Sequence, residues 1–245
     1  MIKLLTTLLI LLAGLVDAQA QSFGLDGLLP PGGASASGRI VQIVAMLTVL
    51  SVAPGLLMMV TSFSRFVIAL SFLRSGLGLQ STPANLILIS LALFMTFFVM
   101  APTFDKAWQD GVLPLVESRI SEGEAYTKIT APFRDFMLAQ TRPQDLRLFA
   151  DIAPPSIRPV DPTQAVDLRV LIPSFMISEL RRAFEIGFLI ALPFLVIDMI
   201  VATIIMSMGM MMLPPTVISL PFKVIFFVLI DGWNLLIGGL VRSFS

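Results

Sequence analysis

The sequence predicts an all-α, membrane-associated fold: long apolar helical hairpins with a smaller polar helical domain between them. Three observations lead there. Hydrophobic residues make up 56% of the chain and charged residues 13%, against about 25% charged in soluble domains, and mean hydropathy is +0.93. Uncharged runs recur at lengths that suit a bilayer crossing, which needs about 20 residues. No stretch alternates apolar and polar side chains as a half-buried strand would.

Residues 1–20 read as a secretory signal peptide. Lys3 supplies the positive start, Leu4 to Val16 the apolar core, and Ala18-Gln19-Ala20 a small-residue cleavage site ending at Ala20. A first membrane anchor is the alternative, but the apolar core is short for one. Residues 21–39 form a flexible leader, with Pro30-Pro31-Gly32-Gly33 and small residues after it.

Residues 40–104 form a first apolar helical hairpin. The run from Ile40 to Ser64 is uncharged and long enough to span, with a kink expected at Pro54-Gly55. Gly76, Gly78 and Pro83 make the turn, and Ala84 to Met100 is the returning helix. Arg65 and Arg74 near the turn place it on the cytoplasmic side by the positive-inside rule.

Residues 105–185 hold 22 of the chain's 32 charged residues, so they form a polar domain on the outer side. Ile129, Phe133, Phe136, Met137 and Gln140 follow helical spacing. Pro154, Pro155, Pro159 and Pro162 mark a loop. At its end Ile177, Leu180, Phe184 and Phe188 share a stripe. Glu179, Arg182 and Glu185 alternate in sign, and Arg181 and Glu185 stand at i,i+4. This charged face is either solvated or a candidate for assembly contacts.

Residues 186–245 form a second apolar hairpin. Its arms carry Asp198, Lys223 and Asp231, and ionisable groups in such runs usually face a partner or a watery path. With a tip at Met210–Met212, Asp198 and Lys223 lie about 12 residues to either side, so at a 1.5 Å rise their depths match and a bridge is plausible. Such a pair could fix hairpin register or belong to an ion path. Asp231-Gly232-Trp233 reads as an interfacial ending, since Trp favours the headgroup level. The tip itself, M-S-M-G-M-M-M-L-P-P from Met206 to Pro215, is uncharged. Methionine adapts to irregular or changing contacts, Gly209 permits a bend, and Pro214-Pro215 stop a helix. The tip either packs against neighbours or lipid, or does something that needs softness.

Several chemistries are excluded. Cysteine and histidine are both absent, which removes disulfides, Cys/His metal sites, thiol nucleophiles and the usual general base. No phosphate-binding G-x-x-x-x-G-K-[ST] or nucleophile elbow occurs. Formal net charge is zero, which offers no footprint for nucleic acid. The chain is expected to be no enzyme and to need no cofactor or metal. A protein-export channel subunit, a solute or ion transporter using Asp198, Lys223 and Asp231, and a membrane scaffold remain as function classes.

Three blocks carry a resemblance: PGLLMMVTSFSRFVIALSFLRSGLGLQSTP from Pro54, PSFMISELRRAFEIG from Pro173, and MSMGMMMLPPTVISLPFKVIFFVLIDGW from Met206. With them the chain resembles the FliP/SpaP family of type III secretion export gates. Ser174 departs conservatively from the family's more usual Ala. The signal peptide and long leader favour the flagellar branch. The resemblance implies a subunit that joins other copies of itself and the export-gate proteins FliQ and FliR in a closed, ring-like helical complex. That complex would stand in the inner membrane at the flagellar basal body and pass unfolded flagellar proteins along its axis. It implies a pore constriction at Met210, Met211 and Met212, with Met208 adjoining. It also implies that apolar runs can be buried against other subunits rather than lipid, which hydropathy does not distinguish.

Overall fold

The computed structural model describes residues 60–79, 83–157, 166–209 and 214–244, together with helical positions between 41 and 59. The expected signal peptide and its cleavage site at Ala20, the leader, Pro54 and the methionines Met210–Met212 lie outside the described residues. The chain divides into two units, Met1–Ser51 and Val52–Ser245. In the first, the described positions are helical with Val41, Val44 and Leu47 exposed.

The second unit is all helix among its described residues, with no strand. Its elements are α1 (Phe63–Gly76), α2 (Asn85–Ala107), a π-helical turn (Trp108–Val112) running into α3 (Leu113–Val116), α4 (Glu122–Gln140), α5 (Pro143–Ile152), α6 (Leu168–Ser207), α7 (Pro215–Leu229) and α8 (Gly232–Arg242). Asn85–Val116 and Leu168–Ser207 are each long and apolar enough to cross a membrane; α7 and α8 meet at a 65° bend and qualify only together.

Local chemistry sets the helix ends. Ser121 and Glu124 form a reciprocal capping box at the start of α4. The backbone hydrogen bond at Ser121 draws the exposed Glu124 carboxyl below its ordinary range. Asp167 caps α6, its Oδ1 accepting from the Arg169 N–H at 2.8 Å. Gly209 takes φ of 74° just after α6, a left-handed closing residue. Pro215 is the first helical residue of α7, where its missing N–H costs nothing, so the Pro-Pro pair opens the second arm as well as closing the turn.

Two corrections to the sequence reading concern continuity. The helix from Asn85 does not stop with the apolar run but continues through the π turn to Val116, and Gly111 lets Ile129 of α4 close on it. α7 ends at Leu229, just before Asp231, but the chain runs on past it. Asp231 adopts φ of 52° at the bend, and the chain continues at 65° as α8, with the Trp233 ring edge-on to Phe227 at 5.4 Å.

The core lies where α1 runs along α6. Phe66, Ala69, Leu70 and Leu73 of α1 meet Leu88, Ala92 and Met95 of α2, Phe194 of α6, Phe227 of α7, and Leu236 and Leu240 of α8. A second cluster joins Met137 of α4 to Leu171 and Phe175 of α6. The face of α6 turned inward holds Ser174, Ser178, Glu179, Ala183 and Gly187 through its middle, flanked by buried Val170, Leu171, Phe175 and Phe194. The stripe Ile177, Leu180, Phe184 and Phe188 points out. Small and polar residues let helices approach closely, and apolar ones face outward, as in membrane helices and unlike soluble ones.

Candidate functional site

Three clusters emerge from this packing: a buried guanidinium, an ion pair between two helix arms, and the hairpin tip. The first rests on Arg65, one residue of the α1 face that also buries Phe66 and Ala69. Its side chain is 0% exposed. The Nε donates to Glu179 Oε2 at 2.8 Å and Nη2 to Glu179 Oε1; Nη2 also reaches Gln140 Oε1 at 3.1 Å. Nη1 donates to the Ser243 carbonyl and hydroxyl, both at 2.8 Å. All five guanidinium hydrogens are therefore matched. The Phe244 ring lies 3.5 Å from the guanidinium carbon. One side chain thus ties α1, α4, α6 and the segment after α8.

This differs from the sequence reading at two positions. Arg65 is not a flank at the membrane surface but a core residue. Glu179 leaves the charged face assigned to it with Arg182 and Glu185, because α6 turns that position toward α1. Arg181 and Glu185 stay outside and pair at 2.9 Å with more than half of each side chain exposed. Arg182 reaches in to Gln140 Oε1 at 3.2 Å. Only a buried partner distinguishes Glu179 from Glu185, and no local pattern encodes that.

The second cluster joins the arms of the α6–α7 hairpin. Lys223 Nζ donates to Asp198 Oδ2 at 2.6 Å and to the Gly76 carbonyl at 3.0 Å. The Ser219 hydroxyl donates to Asp198 Oδ1 at 2.5 Å. Lys223 is almost fully buried, whereas Asp198 keeps 30% of its side chain exposed. The contact to Gly76 caps the carbonyl end of α1 with a cation, the sign that the helix dipole favours. Ser219 and the Gly76 carbonyl carry no sequence signal of this role. Asp231 stands apart from this pair; its exposed carboxylate accepts from Asn234 Nδ2 at 3.2 Å.

The third cluster is the tip. Lys223 meets the end of α1 at Gly76, and α6 runs on past Asp198 to Ser207, nine residues or about 14 Å at 1.5 Å per residue. Over that length the described parts of the two arms are uncharged. Ile200, Ile204, Met206 and Val217 are all more than half exposed, and Met208 is 65% exposed. An apolar groove of about 560 Å³ runs between the arms, lined by Ile197, Val201, Ile204, Met208, Ile218 and Phe222.

The fold and these clusters define a class: a helical membrane protein whose polar groups lock its helices together and whose apolar surface turns outward. The FliP family profile matches residues 46–240. The chain is similar to the flagellar biosynthetic protein FliP of Rhizobium meliloti (strain 1021), 61% identical over 244 residues that cover 100% of both chains. It is 62% identical over 245 residues to that of Agrobacterium fabrum (strain C58 / ATCC 33970), again over 100% of both. It is 51% identical over 204 residues to that of Bacillus subtilis (strain 168), covering 83% of this chain and 91% of the other. The chain belongs to the FliP family. It is therefore a flagellar biosynthesis protein of the export apparatus, associated with other components of that apparatus, and a structural protein rather than an enzyme.

Proposed function

We propose that the chain is a core subunit of the flagellar type III export gate, in which several copies, with FliQ and FliR, surround a channel for unfolded flagellar proteins across the inner membrane. The observation that carries this reading is the α6–α7 tip. An uncharged apolar hairpin whose first arm runs about 14 Å past the Asp198–Lys223 pair, with Ile200, Ile204, Met206 and Met208 exposed, leaves those side chains to be covered by neighbours. Copies arranged around an axis bring such tips together, and Met210, Met211 and Met212, with Met208 behind them, close the ring. Thioethers conform to many surfaces without demanding a hydrogen bond, and an apolar constriction excludes ions by dewetting. The methionines hold the pore shut at rest and yield around a passing chain.

Asp198 and Lys223 have a positional role in this reading. Their pairing fixes the register of the two arms and their height on α1, and so sets where the methionines stand. Arg181, Glu185 and Asp231, exposed in the single subunit, are candidates for contacts between subunits.

Replacing Met210–Met212 by alanine in the assembled complex tests the reading. Ion conductance of cells expressing the complex is expected to rise while the complex still assembles. Unchanged conductance with normal assembly refutes the constriction.

A further inference from the structure

A second cavity lies beside the Asp198–Lys223 pair, between the end of α1 and the first turns of α7. Its volume is about 810 Å³, and Arg74, Leu79, Asp198, Val217, Leu220 and Lys223 contribute to its walls. Three ionised groups face it. The Asp198 carboxylate is committed to Lys223 and Ser219. Lys223 spends two of its three N–H donors on Asp198 and the Gly76 carbonyl. Arg74 donates to the neutral amide oxygen of Asn85, and among the described residues no carboxylate lies within ion-pair distance of it. Between Met199 and Phe222 the sequence has no charged residue. The cavity therefore carries one uncompensated positive charge, with the largely buried Lys223 ammonium contributing to its wall. The remaining wall is apolar through Leu79, Val217 and Leu220.

We propose that this cavity binds a phosphate group, presented as the headgroup of an anionic phospholipid. A guanidinium meets phosphate oxygens through two parallel hydrogen bonds, a geometry that ammonium cannot match. Arg74 is the principal ligand, and Lys223 offers its third N–H without leaving Asp198. The apolar wall receives the glycerol and the first methylenes. A bare phosphate would meet the same donors but leave that wall against water, which disfavours it.

The experiment uses the full-length protein in nanodiscs and native mass spectrometry to compare retained phosphatidylglycerol with phosphatidylcholine. Inorganic phosphate forms a separate arm, read as a shift in thermal midpoint in detergent. Wild type is expected to retain phosphatidylglycerol preferentially. Arg74→Gln is expected to lower that preference about tenfold, the scale of one charge-assisted hydrogen bond, and Arg74→Lys to keep part of it. Ser75→Glu, which sets a carboxylate at the exposed rim of the cavity, is expected to lower it similarly with Arg74 intact. Stabilisation by inorganic phosphate that Arg74→Gln abolishes, without discrimination between the lipids, assigns the same site to the free anion. Equal retention of both lipids with no response to phosphate, or a preference unchanged in both Arg74→Gln and Ser75→Glu, overturns the site.

Discussion

Removing the Glu179 carboxylate should be among the most damaging single changes on α6. Glu179 and Arg65 are both 0% exposed. In Glu179→Ala, two of the five guanidinium hydrogen bonds disappear and the cation stays buried without its counter-charge. Breaking a buried pair by removing one partner costs about 3–5 kcal/mol, against about 0–1 kcal/mol for an exposed pair. Arg181→Ala, which removes a pair more than half exposed on the same helix, is therefore the internal reference. Guanidinium unfolding in detergent, followed by circular dichroism, measures both. Replacing the whole pair in Arg65→Met/Glu179→Leu should recover most of the loss, because the uncompensated charge is gone. Recovery will be incomplete, since Gln140 and the Ser243 carbonyl lose a donor. A Glu179→Ala loss no larger than that of Arg181→Ala, or a double variant as damaged as the single one, refutes the account of this cluster.

Three further outcomes follow from the same structure. Asp198→Lys and Lys223→Asp should each prevent assembly, and the combined swap should restore part of it; equal damage in all three, read as yield of the complex, contradicts the register role. Gly187→Ala should cost about 1–3 kcal/mol by overpacking, because a Cβ there would meet Phe72 Cδ2 at 2.4 Å; the same unfolding assay reads it, and Gly238→Ala, with open space around it, is the control. At the start of α6, hydrogen bonds from the Arg169 side chain and then its backbone N–H hold Asp167 at about 2, below its ordinary 3.8. A lowered carboxyl contributes stability that is complete above the ordinary value and lost as pH falls through about 2; Asp167→Asn should flatten the stability profile between pH 2 and about 4, and an unchanged profile would remove this residue from the acid response.

Much of the fold was legible because its determinants are local. Uncharged runs and the absence of alternation suffice to give long helices without strands; the caps at Ser121 and Asp167, although local, emerged only with the structure. Depth along a helix is also local arithmetic, so Asp198 and Lys223 could be set at one height from residue counts alone, and the structure places them 2.6 Å apart. The direction in which a helix faces is not local. Ile177, Leu180, Phe184 and Phe188 make an apolar stripe whether it lies inward or outward, and in this chain it lies outward. For the same reason Glu179 reads like its neighbours Arg182 and Glu185 until α1 brings Arg65 against it from 114 positions away. The stretch at Asp231 was legible as a helix end, since α7 stops at Leu229, but that a further helix follows the bend depends on the backbone path.

The sequence by itself determined that this is a helical membrane protein, the family to which it belongs, and the presence of a soft uncharged tip between two long arms. Those properties depend on composition, spacing and residue order, which the chain carries in any conformation. The tertiary structure decided which face of α6 is inside, that Arg65 is a core residue with every donor matched, and that Lys223 caps α1 as well as meeting Asp198. It also decided how far α6 runs beyond the Asp198–Lys223 pair. These are contacts between segments distant in sequence, and the free energy of burying a charge or covering an apolar face depends on what arrives opposite it.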